Sequence, residues 1–89
     1  MTEVWVFNGQ GARFPSAIFS NREAAEKWIA QYHLSGVLTE YPVDISVYDW
    51  AIQTGNFKVK TDKDRTQEFI QKFSSGAQRH LHFENGVDE

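Results

Sequence analysis

The spacing of apolar and polar positions changes several times along the chain, and each change marks an element. Glu3 to Asn8 alternates Val4 and Val6 with Trp5 and Phe7, apolar on both sides, which predicts a central strand covered on at least part of both faces. Asn8-Gly9 carries a hairpin signal, and Gln10, Gly11 and Ala12 lengthen the loop beyond the two-residue ideal. Gly9-Gln10-Gly11 is not read as a phosphate cradle, because it leads into a strand and not a helix N-terminus. That strand is Arg13 to Phe19. Pro15 has no N–H to donate, so the strand is expected at an edge or with an irregular first half.

The period then becomes helical. Ser20 to His33, SNREAAEKWIAQYH, opens with Ser20 and Glu23 spaced as a capping box, with Phe19 placed as a hydrophobic staple toward Ala24. Ala24, Ala25, Trp28, Ile29 and Tyr32 share an arc of about 140° at the helical repeat, a face suited to a sheet. Gly36 is the expected stop. Val37 to Val43 returns as a strand. A right-handed crossover from the second strand would lay it beside the first, in spatial order 2-1-3.

Asp44 to Thr54 reads as a short helix capped by Asp44 or Ser46 and closed by Gly55, with Trp50 outside its apolar arc. Asn56 to Lys60 is a short extended piece, and the very polar Thr61 to Arg65 reads as a mobile loop. Thr66 to Ser74 is a third helix with Phe69, Ile70 and Phe73 on one face. Arg79 to Glu84 is a closing strand with Leu81 and Phe83 opposite His80, His82 and Glu84, and Asn85 to Glu89 is expected to fray. The fold class is α+β. The expected core is a β-hairpin–α–β unit in a mixed, mostly antiparallel sheet of three to five strands, with two or three helices packed mainly on one face.

Composition narrows the picture. A chain of 89 residues supports one core, so residues 1–89 form a single domain, and the lack of cysteine removes disulfides and thiolate metal sites as staples. Seven Phe, three Tyr and three Trp supply the packing instead. A net charge of −3 with dispersed Lys and Arg argues against nucleic acid as a partner. No apolar run approaches the roughly 18 residues of a membrane span, and the start, MTEVWVFNG, lacks a leader pattern, so the expected compartment is the cytoplasm.

Candidate chemistry is sparse. His80, His82 and Glu84 project from one strand face about 7 Å apart, and two imidazoles with a carboxylate suit zinc or another divalent cation. The competing reading is that these are the solvent face of a terminal strand. Asp44 and Asp49 lie near Tyr48 and Trp50, but a helix cap and a solvated helix residue account for them. His33 is read as a partner of the helix dipole. The serines sit at helix boundaries, where capping explains them. No catalytic residue is assigned, and no cofactor beyond that divalent cation. The aromatic surplus is left over: Trp5 or Phe7, Trp50 and Tyr41 are expected to be partly exposed, and Trp50, Asp49 and Tyr41 are the candidate protein-binding residues.

The stretches VWVFNG (Val4 to Gly9), FPSAIFS (Phe14 to Ser20), LSG (Leu34 to Gly36), YPVD (Tyr41 to Asp44), VYDWAI (Val47 to Ile52), EFIQKFSS (Glu68 to Ser75) and HLHFENG (His80 to Gly86) cover nearly the whole chain. Through them it resembles a family of small, uncharacterised bacterial proteins. The resemblance implies a free-standing bacterial domain and carries no activity, cofactor or site residue. The leading functional expectation is therefore a non-enzymatic interaction or regulatory module acting on another bacterial protein. The alternative is a metal-binding or metal-dependent protein using His80, His82 and Glu84.

Overall fold

The first strand settles the architecture because both of its sides are apolar and it must sit inside the sheet. In the computed structural model, which describes residues 3–89, β1 (Glu3–Gly9) lies between β2 (Ala17–Phe19) and β3 (Gly36–Pro42). Met1 and Thr2, at the head of the stretch read for a leader, lie outside those residues. β4 (His80–Glu84) and β5 (Val87–Asp88) complete the order β2-β1-β3-β4-β5. The order 2-1-3 is as the sequence predicts. Every adjacent pair is antiparallel, so the sheet is not mixed.

Register assigns the faces. Phe7 pairs with Ala17 on one side and Leu38 on the other, and Leu38 pairs with Leu81. On this face α1 (Arg22–Gln31) presses Ala25 and Ile29 into a core of Trp5, Phe7, Leu38 and Phe83, with Phe19, Trp28, Leu34 and Leu81 around it. Trp28 meets the Phe7 ring edge-on at 5.6 Å and the Phe19 ring at 5.6 Å. Trp5 or Phe7 is expected to be partly exposed, but both are buried, and the Arg79 guanidinium lies over the Trp5 ring at 5.5 Å.

Both ends of α1 depart from the expected pattern. Asn21 is the N-cap in place of Ser20, its side chain accepting the Ala24 N–H at 2.8 Å. Two adjacent residues of capping type compete, and the helix begins one residue later than read. Ala24 and Tyr32 then turn outward and are exposed, leaving Ala25, Trp28 and Ile29 as the packing face. Gly36 does not stop the helix. The Leu34 N–H reaches the Ile29 carbonyl (3.0 Å) and the His33 N–H the Ala30 carbonyl (3.3 Å), with His33 left-handed at φ 54. This is a Schellman closure with histidine where glycine is usual, so the role of His33 is conformational. His33→Gly is expected to stabilise the domain by about 0.5–1 kcal/mol, because glycine takes this backbone region without strain. Urea denaturation of the two proteins at the same pH measures it.

Asn8-Gly9, expected to turn, stays in the ladder opposite Val37 and Gly36. The turn follows it: the Ala12 N–H closes on the Gly9 carbonyl at 3.0 Å, and Gly11 (φ 79) takes the position that needs positive φ. β2 begins only after Pro15 and is an edge strand. The same dipeptide does make a hairpin at the other end of the chain. Asn85 (φ 52) and Gly86 (φ 86) join β4 to β5, the pair of positive φ values that a two-residue hairpin requires. Where fraying was expected, the chain thus folds back. The Gly86 N–H donates to the Leu34 carbonyl at 2.7 Å and the Asn85 N–H to Ser35 Oγ at 3.0 Å, pinning the hairpin tip to the end of α1.

The later helices build a second, smaller core at the end of the sheet where β3 finishes. α2 (Val47–Gln53) touches β3, and α3 (Gln67–Lys72) packs on a 3₁₀ turn at Asp62–Arg65. Tyr48, Phe57, Phe69 and Phe73 are mutually packed, with ring centroids 5.0 Å apart for Phe57–Phe73 and 5.4 Å for Tyr48–Phe73. Asn56 to Lys60 is not a strand. Thr61 to Arg65 is held by one local and one long-range hydrogen bond: the Asp64 carboxylate accepts the Lys60 N–H (3.0 Å), and the Asp64 carbonyl accepts the Tyr48 hydroxyl (2.7 Å). The molecule is consequently elongated, 46 × 29 × 20 Å.

Candidate functional site

With α1 on one face, the other face of the sheet carries no helix, and strand alternation dictates what it shows. Ile18, Val6, Thr39 and His80 form one row across four strands, and Asn8, Val37 and His82 form the next. Val4 pairs with Tyr41 at one end of this face, and Glu84 with Val87 at the other. The β1 and β3 part is mainly apolar, with Asn8 and Thr39 as its polar members, while the β4 part is imidazole and carboxylate. Ile18 and Val87, toward the two edges, are each 66% exposed.

A cleft of about 400 Å³ opens at the Glu84 end, lined by Asn8, Gln10, Val37, His82, Glu84 and Glu89 among others. The Gln10 N–H donates to the Ser35 carbonyl at 2.9 Å, and the Glu89 N–H to the His82 carbonyl at 2.8 Å, so backbone bonds fix two of its walls. The Glu89 carboxyl is raised above the ordinary Glu range, first by its hydrogen bond with the Glu84 side chain and then by the negative charge of Glu84. A shared hydrogen bond between two carboxyl groups requires a proton on one of them. Its contribution is therefore present while Glu89 is protonated and is lost as pH rises through the raised pKa. In Glu84→Gln, Glu89 is expected to titrate in the usual Glu range. Side-chain carboxyl ¹³C shifts followed against pH in the two proteins check this.

The residues singled out from sequence meet different fates. His80 and His82 lie edge-to-face with ring centroids 5.3 Å apart. His80 Nδ1 is 2.9 Å from the Gln78 carbonyl oxygen, and because that oxygen can only accept, Nδ1 carries the proton. Glu84 lines the cleft together with Glu89. The proposed triad is thus not assembled: among the described residues, no group of three or more His, Cys, Asp or Glu side chains is placed to hold a metal ion. Asp49 closes a reciprocal cap on α2, its N–H donating to Ser46 Oγ at 2.9 Å and its carboxylate accepting the Ser46 hydroxyl at 3.0 Å. Asp44 does not cap this helix and instead takes a left-handed turn conformation, φ 68. Tyr41, on the helix-free face, and Trp50, on α2, are half-buried.

A family model described as a domain of unknown function, DUF7710, matches residues 4–89. The chain belongs to that family. No curated protein and no solved structure matches it significantly. The family resemblance drawn from the VWVFNG, FPSAIFS and HLHFENG stretches is thereby substantiated as membership of an uncharacterised family. For this DUF7710 domain the site must be argued from its own surface. No helix among the described residues is long and apolar enough to cross a membrane.

Sequence reading missed two surface features. Phe14 is the most exposed aromatic of the chain at 74%, hidden in the sequence because FPSAIF reads as one continuous strand. Glu89 reads from sequence as part of the tail, but it lines one cleft with Glu84. The signal available for it was Asn85-Gly86, a two-residue hairpin turn that folds the last residues back along β4.

Proposed function

We propose that this domain is a non-enzymatic, cytoplasmic protein-interaction module that meets a partner protein across the helix-free face of its sheet. One observation carries the reading. Val4, Ile18, Val37 and Tyr41 surround the buried Val6 on the face opposite α1, and Ile18 is left 66% exposed. Patches of this kind, apolar at the centre and rimmed by polar groups, are where proteins meet. His80, His82 and Glu84 supply the polar side of the rim. Tyr41 offers the aromatic anchor that interfaces favour, and Trp50, beside the capped Asp49, offers a second one on α2. The acidity of the chain (net charge −3) and its lack of cysteine suit a reducing compartment and a protein partner in place of a polyanion.

Affinity capture from source-cell lysate tests the proposal when wild type is compared with Ile18→Arg and Tyr41→Ala. Both variants should keep the wild-type melting temperature to within a few degrees, and each should lower recovery of the stoichiometric partner by about tenfold, the loss typical of an interface anchor. Undiminished recovery by both variants would refute the placement of the interface.

A further inference from the structure

The aromatic core at the end of the sheet is not closed. Of its four rings only Tyr48 is buried, while Phe57, Phe69 and Phe73 remain half-exposed. Phe69 and Phe73 floor a groove of about 560 Å³ between the 3₁₀ turn and α3, whose other lining residues include Lys63, Thr66, Glu68 and Lys72. Phe57 faces a neighbouring hollow of about 370 Å³ with Lys58 and Lys60 at its rim. Four lysines thus surround one aromatic cluster, all exposed. Lys72 pairs with Glu68 at 3.2 Å across an exposed helical turn, a contact worth little in water, and Lys58, Lys60 and Lys63 are in no ion pair among the described residues. The stretch 56–73 carries five cationic residues against Asp62, Asp64 and Glu68, in a chain whose net charge is −3. This stretch is therefore cationic within an acidic chain, and its lysines rim an open aromatic groove.

We propose that this Phe69/Phe73 groove is a second docking site, distinct from the sheet face, for an acidic segment of a partner protein that inserts an apolar side chain between flanking carboxylates. Charge selects the occupant. The groove floor wants an apolar anchor, and the lysine rim favours Asp and Glu on either side of it while repelling basic segments. A single-stranded nucleic acid would also answer to lysines and aromatics, but it needs free ring faces for stacking. Here the rings are engaged with one another: Phe57 stacks on Phe69 at 5.8 Å, and Phe73 lies against Phe57, Tyr48 and Phe69. The edges that remain suit an aliphatic or aromatic side chain from a peptide.

The test uses the whole domain, isotope-labelled, and short synthetic helical peptides. In one peptide Leu and Phe are interleaved with Glu and Asp, in a second the acids are replaced by Lys, and a deoxythymidine oligomer serves as a third probe. The acidic peptide is expected to shift the amide signals of Lys63, Thr66, Phe69, Lys72 and Ser74, and its affinity should fall steeply with added salt. Because both lysines are exposed, Lys63→Glu combined with Lys72→Glu should leave the melting temperature in place and weaken the acidic peptide by about tenfold or more. Ile18→Arg on the sheet face should leave this binding unchanged, which separates the site from the interface proposed above. Failure of the acidic peptide to bind at millimolar concentration would overturn the proposal. So would equal binding of the basic peptide, indifference to the double charge reversal, or an oligonucleotide that shifts the same amides and displaces the peptide.

Discussion

Gly36→Ala is expected to remove a large share of the domain's stability. Gly36 opens β3 opposite Gly9 on one side and Phe83 on the other, and the Phe7 ring reaches diagonally across it. A methyl group built there would run into the Asn8 carbonyl oxygen, lie 2.8 Å from the tip of the Phe7 ring and 2.9 Å from the Gly9 Cα. Two of those three obstacles are backbone of the neighbouring strand, so relief requires pulling β1 away from β3. That pair forms the middle of the sheet and carries the central core residues Phe7 and Leu38. Overpacking and lost ladder bonds together cost about 3–5 kcal/mol, against a total of about 5–13 kcal/mol for a chain of this length. Gly76 provides the internal control. Nothing lies within 4 Å of a methyl group added there, and Gly76→Ala should change stability by no more than about 0.5 kcal/mol. Urea denaturation followed by tryptophan fluorescence distinguishes the two variants directly.

Phe7→Ala should be nearly as damaging, for the opposite reason. The ring is 2% exposed, meets Trp28 edge-on at 5.6 Å and fills the space above Gly36. Its removal leaves a cavity between a rigid sheet and a helix held at both ends, by the Asn21 cap and the His33–Leu34 closure, so collapse into the gap is limited. The expected loss is about 3–5 kcal/mol. Truncating Ile18, one residue along the pairing from the Phe7–Ala17 row and so on the other face, should cost under about 0.5 kcal/mol. Calorimetric melting of Phe7→Ala and Ile18→Ala thus reads out the division of labour between the two faces: one is filled for stability, the other is left open.

Much of this architecture is written locally. Val4, Trp5, Val6 and Phe7 are apolar on both sides and place β1 centrally, while Pro15 delays β2 and keeps it at an edge. Ser46 and Thr66 cap the two short helices as their types suggest. What sequence reading missed depended on long-range partners. Asn8-Gly9 and Asn85-Gly86 are the same dipeptide with opposite outcomes: the first is held straight by Val37 and Gly36 across the ladder, and the second turns because its tip docks on Leu34 and Ser35. His33 could not be read as a helix terminator, since a left-handed histidine is stabilised by the Leu34 and Ala30 contacts around it and not by its own preference. The polar TDKDR stretch looked mobile because its order comes from Tyr48, sixteen residues from Asp64 in the chain. Of the candidate sites, Tyr41 and the His80, His82, Glu84 strand face were legible from alternation alone, but their chemistry was not. Whether two imidazoles and a carboxylate converge depends on side-chain directions, and among the described residues no such group converges.

The proposed division between a filled face and an interaction face is tested most directly by site-specific photo-crosslinking in the source cells. A photoreactive phenylalanine analogue is placed in turn at Ile18, on the helix-free face, and at Lys27, on the exposed outer side of α1. A discrete crosslinked partner should form from position 18 and not from position 27. The same product from position 27 alone would contradict the assignment and move the interface to the helix-covered side.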